Sequence, residues 1–187
     1  HVYATLFSGF YMALFLMLAV LIMRGVAFEF RSKSANRTWR KVFDYCIFIG
    51  SIVPALLWGV TVGNLIQGTP IDETMTYVGT FWDLLSPYTV LCGVAFVLVF
   101  TYHGGLFTSI KTAGPISERA RAASLVTGVP TAIGVIALII ASYVYTDLYS
   151  SILATIFCAL AVVCFLISWA AARTRNTKWG FVFSSLS

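Results

Sequence analysis

The stretch VYATLFSGFYMALFLMLAVLIM, residues 2–23, followed directly by Arg24, decides the fold. It carries no charge and is long enough to cross a bilayer core of about 30 Å, which takes about 20 apolar residues as a helix. Four more uncharged runs follow at about 45–66, 84–110, 122–146 and 150–172, and a sixth begins near Trp179. These runs are too long for barrel strands, and an open sheet edge cannot be satisfied in lipid, so helices are the economical reading. The expectation is an all-α, polytopic transmembrane bundle forming a single transmembrane domain over 1–187, with five complete spanning helices and the start of a sixth.

Charge supports this reading. All twelve Lys and Arg residues fall in three stretches, 24–41, 111–121 and 173–178, while the alternate connections 67–84 and 147–150 contain none. Basic loops face the cytoplasm, so His1 is expected outside and the three basic stretches inside. The chain is 59% hydrophobic and only 10% charged, with a mean hydropathy of +0.90. A soluble domain carries about 25% charged residues. The net charge of +5 is juxtamembrane charge rather than a nucleic-acid surface. Trp39, Tyr77, Phe81, Trp82, Tyr145, Tyr149 and Trp179 fit interfacial belts. The apolar start at His1 and the abrupt end at Ser187 suggest the central part of a longer subunit.

Inside the helices, Pro54 and Pro130 are expected to favour kinks. Gly50, Gly59, Gly63 and Ser51 on the second helix, and Gly128 and Gly134 on the fourth, are expected to permit close helix contact. Cys46, Cys92, Cys158 and Cys164 lie within apolar runs without metal-ligand spacing and read as buried thiols.

Ionisable groups at membrane depth are the functional candidates. Arg24 ends the first run, and Glu29 follows in Arg-Gly-Val-Ala-Phe-Glu-Phe-Arg (24–31). The two are near neighbours if the helix continues, and sit partly desolvated at the inner boundary. They suit either an anchoring charge pair or a proton entry point. Asp44 opens the second run and suits an N-cap. Asp83 and Asp147 look like caps for the third and fifth helices. His103 is a single embedded histidine without an evident axial partner, so haem ligation is not expected. No phosphate loop or nucleophile motif is present.

Several strings, taken in order, resemble subunit II of cytochrome bd-type quinol oxidases. They are Phe-Ser-Gly-Phe-Tyr-Met-Ala-Leu (7–14), the 24–31 string, Phe43-Asp44 leading to Ile-Gly-Ser-Ile-Val-Pro (49–54), and Gly-Asn-Leu-Ile-Gln-Gly-Thr-Pro (63–70). Further matches are Gly-Thr-Phe-Trp-Asp-Leu-Leu-Ser-Pro-Tyr (79–88), Leu-Cys-Gly (91–93), His-Gly-Gly-Leu (103–106) and Lys-Thr-Ala-Gly-Pro-Ile-Ser-Glu-Arg-Ala (111–120). The resemblance implies an eight-helix subunit of a complex that oxidises quinol and reduces dioxygen to water. It implies no cofactor in this chain, with haems b and d in the partner, the haem-bearing subunit I. Other implied partners are membrane lipid and small single-helix subunits, in a bacterial or archaeal cell membrane.

The resemblance also implies that Arg24 and Glu29 stand on a cytoplasmic proton route, and Asp44, opening the second helix from the same side, is the third proton-pathway candidate. Glu29 replaces an Asp common in the family. The Asp-Gly-Phe-Asp-type and Trp-Glu-Gly-Asn-type strings of the family's first two helices are absent here. The competing readings are a secondary transporter, with Ser51, Thr61, Thr89 and Ser142 as polar candidates, and a purely structural membrane subunit.

Overall fold

A computed structural model describes residues 2–68, 72, 79–146, 149, 151–174 and 176–187, with side chains from Phe7 onward. Among these residues the chain is all-helical, without a strand. The helices are α1 (Val2–Lys33), α2 (Arg37–Gln67), a 3-10 turn (Phe81–Leu84), α3 (Pro87–Lys111), α4 (Pro115–Tyr145), α5 (Ile152–Arg173) and α6 (Thr177–Leu186). α1 through α5 are each long and apolar enough to span a membrane. The chain is a multi-pass membrane protein.

The helix ends differ from the apolar runs in an informative way. α1 continues past Arg24 to Lys33, and α2 begins at Arg37. The basic stretch 24–41 is therefore mostly helix, and its true turn is residues 34–36. The apolar run marks how far the hydrocarbon reaches, whereas backbone hydrogen bonding continues into the headgroup region. At 1.5 Å per residue, the 32 residues of α1 span about 48 Å, well beyond the ~30 Å core. Asn36 caps α2, its side chain accepting from the Thr38 N–H at 2.8 Å. Asp44 lies two turns inside α2 and is not its cap. Asp83 caps the 3-10 turn instead of α3, accepting from the Thr80 N–H (2.6 Å) and the Thr80 hydroxyl (2.8 Å). α3 is started by Ser86, whose hydroxyl accepts from the Thr89 N–H at 3.2 Å, with Pro87 in the first helical position. Asp147, Glu73, Tyr77 and Arg175 lie outside the described residues.

The chain forms two compact units, residues 1–96 and 97–187. In the first, α1 and α2 form an antiparallel hairpin whose core joins Ala13, Met17 and Leu57, with Val53 and Phe81 packed against it. Glycine brings the backbones together. A Cβ on Gly59 would stand 2.6 Å from the Cys92 carbonyl oxygen, and one on Gly50 would stand 2.6 Å from Arg24 Cβ. In the second unit Tyr102, Leu106, Phe165 and Ala172 form the core, flanked by Leu125, Trp169 and Phe181. A Cβ on Gly128 would stand 2.7 Å from the Trp169 ring. Pro54 and Pro130 sit within unbroken α2 and α4.

Candidate functional site

The charged end of the α1–α2 hairpin gathers the candidate residues in one place. Arg24 lies at the helix crossing, half-buried, with α2 close enough at Gly50 to exclude any side chain there. Its guanidinium lies 5.5 Å from the centre of the Phe28 ring, one turn along. Such a contact stabilises a cation at the edge of an apolar region.

Glu29 does not pair with Arg24. Five residues carry it about 140° around the helix and about 7.5 Å along it. Its carboxylate accepts instead from Lys33 Nζ, four residues on. Glu before Lys at this spacing is the favourable order on a helix. The Glu29 side chain is 66% exposed, so it is not desolvated by this chain. Asp44 accepts from Arg31 Nε at 2.5 Å, a bond that ties α2 to α1 across the turn. Arg40 Nε donates to the Ser34 carbonyl at 2.8 Å and fixes the turn itself. Arg31 and Lys33 are thus the partners that the sequence reading missed. The Glu29–Lys33 spacing was a usable signal, whereas the Arg31–Asp44 pair needed the hairpin.

Three of the polar candidates for a transport path, Ser51, Thr61 and Thr89, serve nearby backbone carbonyls. Ser51 donates to the Ile47 carbonyl and Thr61 to the Leu57 carbonyl of their own helix. Thr89, fully buried, donates to the Leu84 carbonyl at 2.7 Å. Asn64 donates to the Leu84 and Val60 carbonyls at 2.8 Å and locks α2 to the 3-10 turn. Each of these groups meets a local backbone need rather than a substrate.

In the second unit, Ser168 donates to the Gly180 carbonyl at 2.6 Å, so the Tyr102 hydroxyl donates to Ser168 at 2.8 Å. Ser184 donates to the Phe181 carbonyl, so His103 Nδ1 carries the proton in its 2.8 Å bond to Ser184. The His103 ring also rests against Phe181, with centres 4.6 Å apart. Among the described residues, the ring's partners are Ser184 and Phe181, neither of them an iron ligand. These residues do not fit a haem.

The sequence profile of the cytochrome bd terminal oxidase subunit II family matches residues 1–187. The chain belongs to this family. Among its relatives, a probable cytochrome oxidase subunit 2 of Haemophilus influenzae is 44% identical over 136 residues, covering 71% of this chain and 36% of that protein. Cytochrome bd-I ubiquinol oxidase subunit 2 of Escherichia coli K12 is 43% identical over 134 residues, covering 70% and 35%. Cytochrome bd ubiquinol oxidase subunit 2 of Bacillus subtilis is 34% identical over 182 residues, covering 96% and 54%. The chain thus spans between 35% and 54% of the length of these relatives. Within the subunit II family, the hairpin end described above is the part of this chain richest in charge.

Proposed function

We propose that this chain is part of subunit II of a quinol:oxygen oxidoreductase in a bacterial or archaeal respiratory membrane. The observation that carries this reading is the family match over the whole chain, together with relatives named as ubiquinol oxidase subunits. In this reading the chain pairs with a haem-bearing subunit I, small single-helix subunits join them, and quinol is the substrate of the whole complex. Haems b and d belong to the partner, where electrons pass from quinol to dioxygen.

The contribution of this chain is then cytoplasmic proton uptake. The exposed Glu29 carboxylate accepts a proton from bulk water, with Lys33 as its hydrogen-bond partner one turn on. Asp44 offers a second carboxylate near the same surface. Arg24 lies about 7.5 Å further along α1, where its fixed charge keeps a proton from being trapped on the way inward. The competing reading is purely structural, and the exposed ion pairs favour it, since such pairs are ordinary surface features.

Turnover of the intact complex carrying Glu29→Gln separates the two. Loss of a positioned proton-transfer group slows a proton-limited step by tenfold or more. The expected result is oxygen consumption reduced by at least about tenfold with the haem spectrum unchanged. Unchanged turnover overturns the proton role. Loss of haem together with assembly assigns Glu29 to structure.

A further inference from the structure

The basic side chains at the α1–α2 turn are not equivalent. Arg31 is taken up by Asp44, Lys33 by Glu29 and Arg40 by the Ser34 carbonyl. Among the described residues, Arg37 and Lys41 have no ion-pair partner. They stand four residues apart on one face of α2. The same face continues through Asp44 and Tyr45 to Phe48, and Lys41, Asp44, Tyr45 and Phe48 line an open cavity of about 420 Å³. Tyr45 and Phe48 are both well exposed. Because Arg31 neutralises Asp44, the carboxylate does not oppose an anion there. The stripe therefore runs from uncommitted positive charge, past a phenol, to bare aromatic surface. From Lys41 to Phe48 it covers about 10 Å along the helix. That length crosses from the headgroup layer into the hydrocarbon.

We propose that this stripe is a binding site for an anionic phospholipid. Lys41 and Arg37 hold the phosphate, the Tyr45 hydroxyl donates to a phosphate or glycerol-ester oxygen, and Phe48 packs on the first part of an acyl chain. The Arg31–Asp44 bond keeps the site net positive and fixes the hairpin beneath it. Such a site requires only that α1 and α2 span a membrane.

The test uses the purified full complex in mixed micelles, with fluorescent dioleoylphosphatidylglycerol as probe and dioleoylphosphatidylcholine and glycerol 3-phosphate as competitors. A juxtamembrane basic residue strengthens anionic-lipid binding by about fivefold. Arg37→Gln with Lys41→Gln is therefore expected to weaken binding by about 25-fold. Arg119→Gln with Lys178→Gln, which removes the same charge elsewhere, is expected to leave it unchanged. Phe48→Ala and Tyr45→Phe alter exposed side chains, so they test the acyl and phenol contacts without endangering the fold, and each is expected to weaken binding. Equal losses from both charge pairs would mean a diffuse surface potential and overturn the site. So would displacement by glycerol 3-phosphate as effective as by lipid, which would mean a free-phosphate site. Wild-type binding by Phe48→Ala and Tyr45→Phe together likewise overturns it.

Discussion

Replacing Gly59 by Ala tests whether backbone contact between α2 and α3 holds the first unit together. The added Cβ would lie 2.6 Å from the Cys92 carbonyl oxygen and from Gly93 Cα, and 2.9 Å from the Cys92 carbonyl carbon. All of these are backbone atoms, so no rotamer change relieves the contact. Restoring an ordinary 3.4 Å separation moves the helices apart by about 0.8 Å. That movement also loosens the reciprocal approach of Gly93 to the Leu56 carbonyl, where a Cβ would stand at 2.9 Å. Overpacking of this kind costs about 1–3 kcal/mol. Alanine's better helix propensity offsets about 1 kcal/mol of that. The net expectation is a loss of up to about 2 kcal/mol.

Gly25 provides the opposite sign within the same unit. It has nothing within 4 Å of the position of an added Cβ, so Gly25→Ala keeps only the propensity gain of up to about 1 kcal/mol. Reversible unfolding of both variants by SDS titration in mixed micelles, followed by circular dichroism, measures the pair. A Gly59→Ala protein as stable as Gly25→Ala would refute the close packing at Gly59.

Other substitutions probe the polar contacts. Tyr102→Phe removes one hydrogen bond while Ser168 keeps its bond to the Gly180 carbonyl, so it should cost about 0.5–1.5 kcal/mol. Ser168→Ala strands the buried Tyr102 hydroxyl and should cost more, about 1–3 kcal/mol; a smaller loss than for Tyr102→Phe in the same unfolding assay would contradict that stranding. The Asp83 carboxyl is held below its ordinary range by the Thr80 N–H and then by the Thr80 hydroxyl. A lowered folded value means that the turn is fully supported above the ordinary carboxylate value of about 4 and loses support as pH falls through the folded value. Amide exchange at Thr80, corrected for intrinsic rate, should therefore accelerate on acidification, and Asp83→Asn should abolish that dependence.

Much of the architecture was legible because lipid leaves the backbone few options. An uncharged run such as 2–23 has to satisfy its own hydrogen bonds, and only helices do so within one segment. The placement of Arg and Lys marked the ends of the hydrocarbon. It did not mark the ends of the helices, because a helix outside the core loses no hydrogen bonds, and α1 carries on to Lys33. Capping was misread for a related reason. Asp44 and Asp83 both stand near the start of apolar runs, yet the short side chains that reach the free N–H groups of α2 and α3 belong to Asn36 and Ser86. The close glycines were foreseen at 50, 59, 63 and 128, since only glycine allows such approach. Ser51, grouped with them, instead donates to its own helix.

What the sequence determined by itself is the helical, membrane-spanning class and the family, because hydropathy, charge sorting and ordered strings are all properties of the linear chain. The tertiary structure decided which charges are spent and which are left over. Glu29–Lys33 is a local pair, but Arg31–Asp44 joins residues thirteen apart. Only the folded hairpin brings that guanidinium and carboxylate into contact, because ion pairing depends on distance in space. By satisfying Asp44, the hairpin leaves Arg37 and Lys41 as the uncommitted charge on the face of α2.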